Sequence, residues 1–197
     1  MFHSADTVTD RLFSVIERKD AWTAAHCRRV ARLMAGFTEW LGEPPEAVGL
    51  AFTIGLLHDI GKIESSPELL AKIARGESFT PGEKQAIRSH VTAAAAALRE
   101  HPQADRILPA ALHHHEHFDG TGYPDGLIGD DIPETARILA VADHFDAIGA
   151  VRPGRPAMSH EDIAARLTSL AGTRLDPRIV DRFLKWISEG NIIKPES

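Results

Sequence analysis

The sequence predicts an all-α single domain, on three observations. Apolar residues recur at helical spacing along most of the chain. Thr, Pro and Gly stand where helices should start and stop. No stretch shows the period-2 alternation of a strand bounded by turns.

In chain order, Val8, Leu12 and Val15/Ile16 put one apolar stripe on a first helix. A second carries Val30, Leu33, Met34, Phe37, Trp40 and Leu41, and Gly42 with Pro44-Pro45 stops it. Residues 46–60 are expected as one nearly continuous apolar helix at the centre of the domain, through Val48, Leu50, Phe52, Ile54, Leu56 and Leu57. Thr80-Pro81-Gly82-Glu83 reads as a capping box that opens a helix running to about Arg99. The alanines at 93–97 mark a close helix–helix contact. Pro109 is expected to start the next helix and Pro133 one reaching Ile148. Two shorter amphipathic segments follow near 160–171 and 177–189. Residues 1–20 are read as an N-terminal helical extension and residues 21–197 as the functional domain.

Composition narrows the function classes. The chain has 197 residues, 43% of them apolar, enough for one sizeable core. Its longest apolar runs fall far short of the about 20 residues a membrane span needs, so no membrane insertion is expected. Met1-Phe2-His3-Ser4-Ala5-Asp6 lacks the basic and apolar blocks of a signal peptide, and a cytoplasmic location is expected. A formal charge of −6 without a long basic run argues against binding polymeric nucleic acid. One cysteine, Cys27, excludes an internal disulfide and a thiolate-rich metal site.

Histidine is the unusual residue. Of 11, six (His90, His101, His113, His114, His115, His117) fall between positions 90 and 117. Several polar residues also interrupt apolar helices: His26, the doublet His58-Asp59, His90, the pair His114-His115, and Asp143 after Ile138–Ala142. Buried imidazoles and carboxylates are costly unless paired or bound to metal. One alone reads as a hydrogen-bonded core residue, but the set requires a shared partner. A divalent metal centre is the economical one. A carboxylate has two oxygens and can bridge two ions, which an imidazole cannot. Nitrogen and oxygen ligands without thiolate favour iron or manganese, with nickel, zinc or magnesium as alternatives.

His26…His58-Asp59-Ile60-Gly61-Lys62…Asp143 resembles the HD superfamily of metal-dependent phosphohydrolases. The stretch His114-His115-Glu116-His117-Phe118-Asp119-Gly120-Thr121-Gly122-Tyr123-Pro124 is similar to the signature of its HD-GYP subfamily. The resemblance spans roughly residues 22–187 and includes Asp143-x-x-Asp146-Ala147 and Arg152-Pro153-x-Arg155. It implies a helical bundle with an appended GYP loop and C-terminal helices. It also implies hydrolysis of cyclic di-GMP to pGpG, and on to GMP, by a hydroxide that two metals activate. His26, His58, Asp59 and Asp143 would hold one metal, and Asp59, His90, His114 and His115 the second, with Asp59 bridging. Asp59 and Lys62 would serve catalysis, Lys62 by neutralising phosphate charge. Gly122, Tyr123, Pro124, Asp146, Arg152 and Arg155 would contact substrate, while Asp119 would brace the loop and His113 stand aside.

Three positions depart from the family pattern. Trp22 replaces a Glu that helps some members hold a third metal, so two ions are expected. Ala94 stands for a glycine, and Gly154 for a tyrosine in the arginine loop. The competing readings are a cyclic-dinucleotide sensor without turnover and a phosphohydrolase for another cyclic dinucleotide or nucleotide. The resemblance also admits a homodimer and signalling-protein partners such as diguanylate cyclases.

Overall fold

The second helix shows how this sequence folds: its buried positions, Thr23/Ala24, His26/Cys27, Val30/Ala31, Leu33/Met34 and Phe37/Thr38, repeat every three to four residues. That stripe is what an α-helix buries on one face, and it carries His26 inward together with its apolar neighbours. The computed structural model describes residues 7–150 and 158–191. Its helices are α1 (Val8–Lys19), α2 (Ala21–Trp40), α3 (Pro45–Leu57), α4 (Pro67–Arg75), α5 (Pro81–Arg88), α6 (His90–Leu98), α7 (Ala104–His113), α8 (Glu134–Gly149), α9 (His160–Leu170) and α10 (Pro177–Ser188), with 3₁₀ turns at Ile60–Glu64 and Gly129–Asp131. Among the described residues there is no strand, only one isolated bridge between Ala171 and Leu175. None of these helices is long and apolar enough to cross a membrane.

The core is built on α2 and α3, which pack along each other, with α8 against α2 and α7 between α6 and α8. Its fully buried side chains include Met34, Phe37, Ile54, Leu57, Ile107 and Leu139. Phe37, Phe183 and Trp186 join α2 to α10 edge to face, with ring centroids 5.1–5.7 Å apart. The first helix, read as an extension, places Phe13 and Ile16 in this same core.

Four boundaries differ from those expected. The central apolar helix ends at Leu57, not 60: Asp59 leaves helical geometry (φ −97°, ψ 12°) and the chain tightens into the 3₁₀ turn. The helix expected from Thr80 to Arg99 is two, because Ser89 turns the chain (ψ −13°) and its hydroxyl donates to Ala86 O. His90 therefore opens α6 instead of lying inside a long helix. Pro109 sits within α7, which starts five residues earlier, at Ala104; its missing N–H removes a single ladder bond. The short α4 escaped the periodicity, since it buries only Leu69 and Leu70; Ser66 caps its start and Gly76, at φ 68°, ends it.

One close approach fixes the site. A Cβ on Gly61 would lie 1.9 Å from His90 O and 2.5 Å from Ala94 N. Only glycine lets the 3₁₀ turn touch the α6 backbone, and that contact carries Asp59 to His90.

Candidate metal centre

Three helix ends, the start of a 3₁₀ turn and two helix faces converge on a single buried cluster. His58 caps the C-terminus of α3, His90 starts α6 and His114 caps α7. Each of these rings turns its Nδ1 to a backbone carbonyl three residues earlier: His58 to Gly55 O (2.8 Å), His90 to Ile87 O (2.6 Å), His114 to Ala111 O (2.9 Å). A carbonyl only accepts, so Nδ1 carries the proton and Nε2 keeps its lone pair. In all three rings that Nε2 is buried without a hydrogen-bond partner, as is Asp59 Oδ1. Buried acceptors left unmatched cost free energy. Four of them within one cluster, all of ligand type, fit a divalent cation.

Asp59 stands at the centre. Its Oδ2 faces His58 Nε2 at 3.4 Å and His26 Nε2 at 3.7 Å, while Oδ1 faces His90 Nε2 at 3.2 Å. Two groups of donor atoms, each within 4.8 Å of one another, could hold a metal: His26, His58 and Asp59, and His90, His114 and His115. Asp143 of α8 reaches His26 Nε2 at 3.0 Å beside the first group. Lys62 donates to Asp59 Oδ2 at 2.5 Å, across one 3₁₀ turn.

Electrostatics keep the donors available. Burial, then the neighbouring His58 and His90, push His114 down to about 3; burial and His114 lower His115 well below the ordinary imidazole value. Both rings are neutral near pH 7. Burial alone would raise the Asp59 carboxyl, but the Lys62 charge beside it holds it well below the usual range. His26 behaves oppositely: burial would lower it, yet hydrogen bonds to Asp143 and Asp146 lift it to about 9. Without a metal, its ring is a cation between two carboxylates.

The loop that follows His114-His115 is tied down on one side. Glu116, buried, accepts from the backbone N–H of Asp125 (2.7 Å) and Gly126 (3.0 Å). A Cβ on Gly122 would lie 2.2 Å from His117 N, so the loop backbone rests on residues 116–117. Asp119 accepts from the N–H and hydroxyl of Thr121, bracing the turn, and His113 pairs with Asp125. Tyr123, joined to Pro124 by a cis peptide, stacks on the His115 ring at 5.0 Å. A cavity of about 340 Å³ opens beside Tyr123, His115 and Asp143.

The residues singled out in the sequence are thus placed as follows. His26, His58, Asp59, His90, His114, His115 and Asp143 come together, and Lys62 lies against Asp59. Asp146, expected on substrate, has both oxygens occupied: Oδ2 by His26 Nδ1 (2.7 Å) and Arg29 Nη2 (2.9 Å), Oδ1 by Arg29 Nε (2.7 Å). Arg152 and Arg155 lie outside the described residues. Trp22 stacks on His26 with centroids 5.8 Å apart. Arg29 and Glu116 were missed as supports. Arg29 follows His26 by three residues on the same face, which is a signal only once His26 is known to need a partner.

An all-helical bundle with two adjoining groups of His and Asp donors at its centre, each able to hold a metal ion, defines a helical domain with a candidate metal centre. The family model described as HD domain matches residues 11–179, and the chain belongs to that family. It is 36% identical over 179 residues to the cyclic di-GMP phosphodiesterase response regulator RpfG of Xanthomonas campestris, covering 89% of this chain and 46% of that protein. It is 33% identical over 204 residues to a probable cyclic di-GMP phosphodiesterase of Vibrio cholerae, covering 95% and 45%. It is also 30% identical over 182 residues to the 3'3'-cGAMP-specific phosphodiesterase 2 of the same organism, covering 90% and 34%. The chain spans less than half the length of these curated relatives. Its fold is similar to that of the cyclic GMP-AMP specific phosphodiesterase V-cGAP3 of V. cholerae, with a TM-score of 0.70 at 17% identity, covering 95% of this chain and 50% of that one.

Proposed function

We propose that the chain is a metal-dependent phosphodiesterase that cleaves cyclic di-GMP to pGpG, and on to GMP. The observation that carries this reading is the position of Asp59, one oxygen toward each of two ligand groups. The names of the relatives at 36% and 33% identity support the substrate. His26, His58, Asp59 and Asp143 would hold one ion, and Asp59, His90, His114 and His115 the other. Iron or manganese suits this donor set. When bound, such a pair polarises the phosphoryl oxygens and lowers the pKa of the attacking water.

The chain's own residues supply the rest. Lys62 sets a positive charge at the Asp59 side of the site, where a phosphodiester would otherwise meet a carboxylate. The backbone contacts of Glu116 and Gly122 hold Tyr123 and Pro124 at the rim, so that the substrate meets a preformed wall. Arg152 and Arg155 are assigned to the second phosphate. A second reading, cyclic GMP-AMP as substrate, is favoured by the relative at 30% identity.

The test is turnover by protein purified without oxygen and loaded separately with iron(II) or manganese(II), with Asp59→Ala as control. Production of pGpG or GMP from cyclic di-GMP by the intact chain alone is the expected result. Faster cleavage of cyclic GMP-AMP would move the substrate to the second reading. Binding without any product would make the chain a sensor.

A further inference from the structure

The sequence resemblance left two arginines of the cavity unassigned, Arg88 and Arg174. Arg88, the last residue of α5, is exposed and lines the cavity of about 340 Å³ with His115, Tyr123, Asp143, Ile148 and Arg174. Its guanidinium carbon lies 5.0 Å above the Tyr123 ring, and that ring stacks on His115 at 5.0 Å. Arg88 therefore lies over a ring that itself stacks on a ring of the ligand cluster. Among the described residues, no carboxylate pairs with it.

A guanidinium whose face rests on an aromatic ring presents its N–H donors edge-on, in its own plane. The flat Tyr123 ring and the apolar Ile148 side chain line the same cavity as Arg88, a setting suited to the edge of a base more than to a hydrated phosphate. Guanine offers two acceptors there, O6 and N7, matched to two parallel N–H groups; adenine offers one acceptor and one donor. We infer that Arg88 is a specificity-determining residue that reads the O6/N7 edge of a guanine in the bound dinucleotide. This inference rests on the cyclic-dinucleotide reading above and names the residue that would set its base preference.

The experiment measures kcat/KM for cyclic di-GMP and cyclic di-AMP on the manganese-loaded chain, as wild type, Arg88→Gln and Arg88→Lys. The ratio of the two should fall about 10- to 100-fold in both variants. Lysine fails with glutamine because a point charge cannot present a planar fork. A ratio that stays constant while both rates drop makes Arg88 a phosphate contact and overturns the inference; so does an absence of any effect. Calorimetric binding of the same two dinucleotides to the metal-free chain is the second readout. There the wild type should prefer cyclic di-GMP and both variants should lose that preference, whether or not hydrolysis occurs. Lack of turnover with this binding pattern defeats only the phosphodiesterase reading. Wild-type binding without a guanine preference, or no binding at all, defeats the role of Arg88.

Discussion

Asp146 of α8 holds His26 of α2 through the ring Nδ1 at 2.7 Å, and Arg29, on the same side of α2, grips both oxygens of that carboxylate. The arrangement fixes the imidazole's rotation and leaves Nε2 pointing at Asp143 and Asp59. A carboxylate behind a ligand histidine raises its basicity and sets its tautomer; losing such a partner costs 10- to 100-fold in metal affinity in general. Asp146→Ala should therefore weaken manganese binding by about 10- to 100-fold, read by titrating the metal-free protein. Asp146→Asn, which keeps an acceptor oxygen, should lose less. A rise in KM with metal affinity unchanged would return Asp146 to the substrate side.

The residues that gather around Asp59 were legible because each breaks an apolar pattern: His26 sits in the buried stripe of α2, and His58-Asp59 closes the most apolar helix. Helix existence was legible for the same reason. What remained hidden depends on contacts between segments. Nothing local marks Ser89 as a turn, since Ala, Ile and Arg before it and Val, Thr and Ala after it all favour or tolerate a helix. Asp146 reads as a site residue by position and Glu116 only as part of the signature, and the partners of both, His26 and the Asp125 and Gly126 amides, are set by tertiary packing. The contact of Arg88 with the Tyr123 ring joins residues 35 positions apart and leaves no periodic trace.

Gly61 tests how far that packing governs the site. Its substitution by alanine would press a methyl carbon against His90 O and Ala94 N, both backbone atoms in a buried helix start. Neither can swing away as a side-chain tip could. Separation of the 3₁₀ turn from α6 should cost about 1–3 kcal/mol and widen the approach of Asp59 to His90. Thermal unfolding should show the lower stability, and metal titration a loss of affinity in the same variant. Unchanged metal affinity at reduced stability would mean that the contact holds the fold without setting the cluster.

Asp176 offers a pH-dependent test away from the metals. It caps α10 by accepting from Arg178 N, and its Oδ2 accepts from Arg137 Nη1 of α8 at 2.6 Å, so one buried carboxylate ties α8 to α10. Burial would raise its pKa, but hydrogen bonds from Arg178 and Arg137 carry it below the ordinary carboxylate value. A folded-state pKa below the unfolded one means stability that is fully present above about pH 4 and is lost as pH falls through the folded value. Asp176→Asn keeps a capping oxygen and removes the charge, and should destabilise by about 1.5–3 kcal/mol at pH 7, the scale of hydrogen bonds to a charged group. The gap between wild type and variant should close on acidification below pH 4. Denaturant unfolding at pH 7 and pH 3 reads both; a gap independent of pH would assign the effect to capping alone.

The division of the centre into two groups predicts distinct metal stoichiometries. His115 belongs only to the group with His90 and His114, whereas Asp59 faces both groups. His115→Ala should keep one ion per chain, held by His26, His58 and Asp59, while Asp59→Ala should keep neither. Metal content after desalting, by elemental analysis, gives the counts. Removing Asp59 also strips Lys62, whose side chain is 14% exposed, of its carboxylate partner, so Asp59→Asn serves as the variant that preserves shape and an acceptor for Lys62. Circular dichroism establishes that each variant folds. Two ions retained in folded Asp59→Ala would refute a shared carboxylate. Loss of both in His115→Ala would show instead that the second group must be filled for the first to bind.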